Sequence, residues 1–357
     1  MMQNKKINVL QIITGLGIGG AERVVLDLAT NLNQKKFNIF VVSLSKKVEM
    51  LNAFKTQNIN TITLNKNNAF KDFIEIIFFL NNYIKKNNID LIHAHMTHAM
   101  LVSSVLKILN PKLKIIFTSH NINIGSRKRE FLLYLTKSLR SVDILFSKDQ
   151  FKYFYKKNYK IIPNGIDIKK YLISTQKFDK FTFLSVGRLE KQKNHLLLLE
   201  CSKKLKERGK RFQVLIAGKG KLRKNLERNI IQNNLENHVY LLGSRSDIPE
   251  LMAKSHVFVM PSLWEGLPIV LLEAGASKLP ILTTPVGSIP SLVNDSCGYL
   301  STLNDFCNSM ELILDNYNIA INKATKMQKI IKDTYSINGI TKKHEKIYEN
   351  ILFKKNI

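Results

Sequence analysis

Two α/β domains, each a doubly wound parallel sheet covered by helices, are the fold class this sequence predicts. The first observation is length: 357 residues exceed what one hydrophobic core ordinarily organises. The second is a repeated alternation of short β-rich apolar runs with longer amphipathic stretches, the signature of βαβ units. The third is that this alternation stops at Pro163-Asn164-Gly165, crosses a polar stretch at 174–180 and restarts. That places a domain boundary near 165–180.

Residues 7–14 read as a buried strand, 21–32 as the helix after it, and 37–44 as the next strand. Over 70–86, Phe73, Ile76, Ile77, Leu80 and Ile84 recur at helical spacing and line one face. Apolar runs at 91–95 and 115–118 supply further strands. In the second half, strands are expected at 181–186, 213–217, 239–242, 257–260 and 281–283. Helices at 194–208, 221–233, 247–253 and 268–277 fit between them. Ligands on such sheets bind beyond the carboxyl ends of the strands. No run of about eighteen apolar residues occurs, which argues against a spanning helix. Residues 1–6 lack the apolar core of a signal peptide.

Composition bounds the partners. The formal net charge is +28, from 55 basic and 27 acidic residues, which suits phosphorylated substrates, a lipid surface or nucleic acid. Lysine is abundant throughout, so much of this charge is solvated surface. The excess is densest in 126–160, with ten basic and three acidic residues. There Arg127, Lys128, Arg129, Lys137, Arg140, Lys148, Lys152, Lys156, Lys157 and Lys160 interleave with Phe131, Tyr134, Phe151, Tyr153 and Phe154. Leu132, Leu135, Leu139 and Val142 are spaced to face the core, which turns Phe131 and Tyr134 elsewhere. The segment is therefore expected to dock on anionic lipid. No nucleic-acid motif accompanies the charge, so a basic nucleic-acid-binding protein is an alternative without positive support. Cys201, Cys297 and Cys307 are odd in number and form no CxxC pair. Three reduced thiols in a cytoplasmic protein are expected, with no metal.

Four constellations could carry chemistry. Gly15-Leu16-Gly17-Ile18-Gly19-Gly20 follows the first strand and opens a helix, so backbone N–H groups could approach a phosphate. It formally matches a dinucleotide fingerprint, but 41–46 supplies no acidic residue to hold a ribose, which disfavours a nicotinamide oxidoreductase. Gly187-Arg188 and Lys193 follow the first strand of the second half; two cations there could hold a diphosphate and stabilise its charge on leaving. In 261–274, Glu265 and Glu273 stand eight apart, one in a loop and one inside a helix. Carboxylates accept hydrogen bonds from sugar hydroxyls, and the apolar neighbours of Glu273 call for a partner. His93, His95, His98 and His120 cluster near strand ends without carboxylates, which favours hydrogen bonding over metal ligation.

Taken in order, these residues resemble the family 4 glycosyltransferases over nearly the whole chain. Glu265 and Glu273 look like the family's EX7E motif, and Arg188 and Lys193 like its diphosphate-binding pair. Gly17, Gly19 and Gly20 look like its first glycine loop. Residues 162–167 are similar to its interdomain segment, and 335–337 with the last helix to its tail. The resemblance implies an α/β fold of the GT-B kind: two Rossmann-like doubly wound domains facing across a cleft. Residues 1–165 would be the acceptor-side domain, 166–336 the nucleotide-sugar domain, and 337–357 a helix packing back toward the first. It implies retaining transfer of a hexose or N-acetylhexosamine from a nucleotide diphosphate sugar, UDP-linked, to a lipid-linked glycan of lipopolysaccharide, capsule or exopolysaccharide. No cofactor or metal is implied.

Carried over, Glu273 would hold ribose, Glu265 sugar hydroxyls, and His120 the donor hexose. Backbone from Gly266 through Leu267, Pro268 and Ile269 would approach sugar and phosphates. Loops at Gly218-Lys219-Gly220 and Gly243-Ser244-Arg245 would border the base, and Gly187 would also belong to the donor site. The family often has an acid at Lys219, and Gly and Glu at Ser288 and Ser291, so these departures leave the donor sugar open. The protein would be cytoplasmic, peripheral on the inner face of the membrane.

Overall fold

The computed structural model describes residues 6–66, 70–120, 126–146 and 158–353. The chain forms two compact units, 1–165 with 337–357, and 166–336.

Unit 1 holds β1 (Ile7–Ile13), α1 (Gly20–Asn31), β2 (Phe37–Ser45), α2 (Leu51–Thr56), β3 (Asn60–Lys66), α3 (Phe70–Lys86), β4 (Leu91–His95), α4 (Met96–Leu109), β5 (Lys114–Thr118), α5 (Arg127–Leu135), β6 (Val142–Leu145), β7 (Tyr159–Ile161) and, from the far end of the chain, α12 (Ile337–Phe353). Its seven strands are parallel in the order β3-β2-β1-β4-β5-β6-β7. The central strands are apolar on both faces because helices cover both. Leu10, Ile12, Ile92, Ala94, Ile115 and Phe117 point toward α3, α4 and α5. Val9, Leu91, Ile116 and Ile144 point the other way, toward Ile340, Ile347 and Tyr348 of α12.

Unit 2 runs β8 (Phe181–Val186), α6 (His195–Glu207), β9 (Phe212–Ala217), α7 (Arg223–Gln232), β10 (Val239–Gly243), α8 (Ile248–Lys254), β11 (Val257–Met260), α9 (Ile269–Ala276), β12 (Ile281–Thr283), β13 (Tyr299–Leu300), α10 (Phe306–Asp315) and α11 (Tyr317–Thr334). Its six strands are parallel in the order β10-β9-β8-β11-β12-β13. Strand order reverses between β8 and β11, so the loops leaving those strands diverge and leave a crevice at their carboxyl ends. The chain turns sharply without many glycines. Asn58, Asn88 and Asn234 follow α2, α3 and α7 with φ near +50°, a conformation asparagine tolerates better than most residues.

Three expectations are corrected. Cys201 and Cys307 are not free thiols but a disulfide joining α6 to α10, while Cys297 is free and buried. Both helices pack on one face of the unit 2 sheet, a proximity that a separation of 106 residues does not announce. Leu135 does not face the core: it is 55% exposed, and Leu133 is the buried residue of α5. The helix ends at Leu135 and a 3₁₀ turn follows at Lys137–Leu139, so one helical period does not run from 132 to 142. Arg140 is not available to a lipid surface. It is 1% exposed and gives paired hydrogen bonds to Asp143, with a third to the Leu133 carbonyl.

Candidate functional site

Lys193 and Glu265 meet at the carboxyl ends of β8 and β11. After β8 the chain enters a short 3₁₀ turn, Lys191–Lys193, and the aliphatic part of Lys193 lies against Gly187. A Cβ on Gly187 would stand 3.0 Å from Lys193 Cε, so glycine here is a matter of room. The Lys193 Nζ then reaches Glu265 Oε1 at 2.6 Å, with both side chains largely buried. Ser262 Oγ donates to the same carboxylate oxygen at 2.9 Å. Gln192 fastens the two loops together: its side-chain amide donates to the Trp264 carbonyl at 2.9 Å, and its own carbonyl accepts from Leu263 N at 2.8 Å. A buried carboxylate held by an ammonium and a hydroxyl keeps lone pairs free for a polar ligand.

Close backbone packing builds the rim. Gly218 has φ +152°, and a Cβ there would fall 1.9 Å from the Gly187 carbonyl oxygen. Gly287 has φ +58°, and its Cβ would lie 2.0 Å from the Glu265 carbonyl oxygen. Ser288 N donates to the Gly266 carbonyl at 3.2 Å. Ser291 Oγ donates to the Ser288 carbonyl at 2.6 Å, so both serines serve the turn that backs the Glu265 loop.

Glu273 sits in the second turn of α9, which starts at Ile269 after an extended Pro268. Its partner is Tyr171, whose Oη donates to Glu273 Oε1 at 2.6 Å. Tyr171 is buried in the core beneath α9, so the phenol holds the carboxylate in a fixed direction. Gly266 and Leu267 lead into the helix, with Leu267 buried and Gly266, Pro268 and Ile269 partly open. Helix starts offer N–H groups and a positive dipole end.

The remaining expected residues are placed as follows. Arg188 is exposed, 3.2 Å from Glu190 and 3.4 Å from Gln192; it does not join the Lys193–Glu265 contact. Lys219, Ser244 and Arg245 are exposed on neighbouring loops, and Arg245 is paired with Asp247 at 2.5 Å. Gly17, Gly19 and Gly20 belong to unit 1. There the Glu22 carboxylate folds over the turn, 2.6 Å from where a Cβ on Gly19 would lie, and burial raises its pKa. A carboxylate in that place opposes a phosphate at the same spot. His120, also in unit 1, contacts His95 Nδ1 at 3.0 Å, and burial pushes its pKa down to about 3, so the ring is neutral at physiological pH. His93 is held between Tyr348 and Thr118 at 2.7 Å each. Among the described residues no cluster of metal-ligating side chains occurs.

Sequence reasoning missed Tyr171, Ser262, Gln192 and Gly287. Ser262 and Gln192 stood inside segments already singled out. Tyr171 carried no signal, since its hydrogen bond spans 102 residues.

Two family models match the chain, one after the other. Residues 18–170 match the model of Glycosyltransferase Family 4, and residues 168–334 that of Glycosyl transferases group 1. The chain is 27% identical to an Escherichia coli UDP-Gal:alpha-D-GlcNAc-diphosphoundecaprenol alpha-1,3-galactosyltransferase, over 92% of this chain and 93% of that one. It is 28% identical to a Campylobacter jejuni N-acetylgalactosamine-N,N'-diacetylbacillosaminyl-diphospho-undecaprenol 4-alpha-N-acetylgalactosaminyltransferase, over 76% and 79%. Among solved structures, Anabaena HepE in complex with UDP and glucose has the same fold, with a TM-score of 0.83 at 18% identity, covering 96% of this chain and all of that one.

Proposed function

Because the chain belongs to the family 4 glycosyltransferases, we propose that it is a retaining enzyme that moves a hexose or N-acetylhexosamine from a UDP-sugar to a lipid-linked glycan. The product would enter lipopolysaccharide, capsule or exopolysaccharide at the inner face of the cytoplasmic membrane. The observation that carries this reading is the buried Lys193–Glu265–Ser262 contact beside the start of α9. It sets a cation, a hydroxyl-accepting carboxylate and free helix N–H groups around one strand-end crevice.

The chemistry follows from those groups. Glu273, aimed by Tyr171, accepts from the two ribose hydroxyls. Glu265 accepts from hydroxyls of the donor sugar. Lys193 has three N–H bonds and uses one on Glu265, which leaves others for a phosphate oxygen. As the anomeric carbon–phosphate oxygen bond breaks, negative charge grows on the leaving diphosphate, and Lys193, Arg188 and the α9 N-terminus would receive it. The acceptor oxygen bonds to the anomeric carbon on the same face, and its proton passes to the departing phosphate oxygen. No metal is required. His120, kept neutral by burial, is a hydrogen-bonding group rather than a cation. The acceptor is inferred from the undecaprenol-linked substrates named for the relatives.

A hydrolysis screen over UDP- and GDP-sugars, followed by anomer assignment of the transfer product by NMR, tests the reading. Turnover of a UDP-sugar with retained configuration is expected. Inversion, or activity with GDP-sugars alone, would refute the mechanism or the donor.

A further inference from the structure

We propose that Trp264 is an aromatic platform for the apolar face of a pyranose ring, at the outer rim of the Lys193–Glu265 crevice. The inference rests on the reading of unit 2 as the nucleotide-sugar domain. It adds a sugar contact that the charged groups of that site do not make.

Trp264 is the only tryptophan of the chain. It is 53% exposed, whereas every other residue from Pro261 to Val270 is buried or half-buried. The other large exposed apolar side chains of unit 2 are all aliphatic: Leu172, Ile173, Ile231, Leu303, Leu312 and Ile319. A scattered leucine or isoleucine is ordinary surface. An indole has far more apolar area to bury, and here it stays open beside a carboxylate assigned to sugar hydroxyls.

The loop that carries the indole is fixed. The Trp264 carbonyl accepts from the Gln192 side-chain amide at 2.9 Å, and Leu263 N donates to the Gln192 backbone carbonyl at 2.8 Å. On the other side the Glu265 carboxylate turns inward to Lys193 and Ser262. These anchors are backbone atoms of 263 and 264 and the side chain of 265, so none depends on the indole. The ring is held out at a set place without being needed to hold the loop. The Arg188 guanidinium lies 3.4 Å from Gln192 Oε1, which continues the same exposed rim.

Strand order decides which part of a nucleotide sugar can reach that rim. The base-side loops of the reading, 218–220 and 243–245, follow β9 and β10 on one side of β8. The Trp264 loop follows β11 on the other side. The loop of Lys193, assigned to the diphosphate, stands between them. Beyond the diphosphate comes a sugar, the donor's or the acceptor's, and both present hydroxyls at the edge and C–H groups across a face. Carboxylates take the edge, and a flat apolar ring takes the face.

The test is the intrinsic tryptophan fluorescence of the full chain, a signal with one source. The titrants are UDP, UDP-glucose, UDP-galactose, their two N-acetylhexosamine counterparts, and the methyl α-glycosides of the same sugars with and without UDP. UDP alone is expected to leave the emission unchanged, and a sugar to shift it to the blue. A shift with a UDP-sugar assigns the platform to the donor; a shift with a methyl glycoside assigns it to the acceptor. W264A is expected to raise the KM for that sugar about tenfold while kcat stays within about twofold. W264F should recover much of the loss, and I231A, exposed near the end of α7, should change neither constant. The proposal is overturned if no sugar moves the emission, if UDP alone moves it as much as a UDP-sugar does, if W264A keeps the wild-type KM, or if W264F is no better than W264A. UDP calorimetry and UDP-sugar hydrolysis on the same preparations keep the two readings apart. Hydrolysis with a silent indole sinks the platform and keeps the transferase. A glycoside-induced shift in a chain that neither binds UDP nor hydrolyses a UDP-sugar does the reverse.

Discussion

Removing one partner of the Lys193–Glu265 pair should damage stability and catalysis together, whereas neutralising both should restore only stability. The side chains are 12% and 7% exposed and their charged atoms lie 2.6 Å apart. In Lys193→Met the Glu265 carboxylate keeps Ser262 as donor but loses its counter-charge. Stranding one member of a largely buried pair costs on the order of 3–5 kcal/mol. Glu265→Gln strands the ammonium in the same way. In the double variant Lys193→Met/Glu265→Gln no charge is stranded, and the coupling should recover about 1–4 kcal/mol of the loss. Catalysis has no such recovery. Each group is assigned a contact to sugar or diphosphate, and losing one such contact costs roughly a hundred- to a thousandfold in rate. Urea denaturation of the four proteins gives the stability cycle, and UDP-sugar hydrolysis gives the rates. Additive stability losses would show that the contact is not a coupled pair. Transfer at wild-type rate in the double variant would remove both residues from the mechanism.

Further expectations rest on separate observations. Tyr171→Phe removes the 2.6 Å hydrogen bond to Glu273 with little change in shape; a charged hydrogen bond contributes about 1.5–3 kcal/mol. The donor KM should therefore rise while kcat moves less, and unchanged steady-state kinetics would show that the phenol does not position the carboxylate. Gly287→Ala puts a Cβ 2.0 Å from the Glu265 carbonyl at a positive φ, so lower thermal stability and loss of UDP binding should appear together. Chelator should leave transfer largely intact; loss restored by magnesium or manganese would contradict a metal-free mechanism. His344 of unit 1 is held by burial at a pKa of about 4, and burial lowers His93 and His95 too. The unfolded chain therefore binds more protons below about pH 6.5. Stability should fall from there toward pH 4, by up to about 1.4 kcal/mol per pH unit for each histidine. A flat denaturation midpoint between pH 7 and 5 would refute the buried neutral assignment.

What the sequence by itself determined is the local and the periodic. Strands β1, β2, β4, β5, β8, β9, β10, β11 and β12 are apolar runs between turn signals, and a strand buried on both faces must read that way. The glycine loop, Arg188, Lys193 and Glu265 lie at strand ends and Glu273 in the helix after one of them, and the strand-to-helix alternation alone locates those places. The missed strands are mostly polar or very short pieces: β3 is mostly polar, β6 has four residues with Asp143 among them, β7 has three and β13 two, too little for a period to show.

The tertiary structure decided what depends on distance through space. It made Lys193 and Glu265 partners, gave Glu273 its phenol, and left Arg188 with Glu190. It buried Arg140 against Asp143 and put Leu135 outside, because the end of α5 and the turn after it break the period that spacing assumes. It brought Cys201 and Cys307 together through two helices sharing one sheet face. Each of these follows from which helices lie side by side, and that is set by the burial of whole faces at once. No local window of residues contains that information.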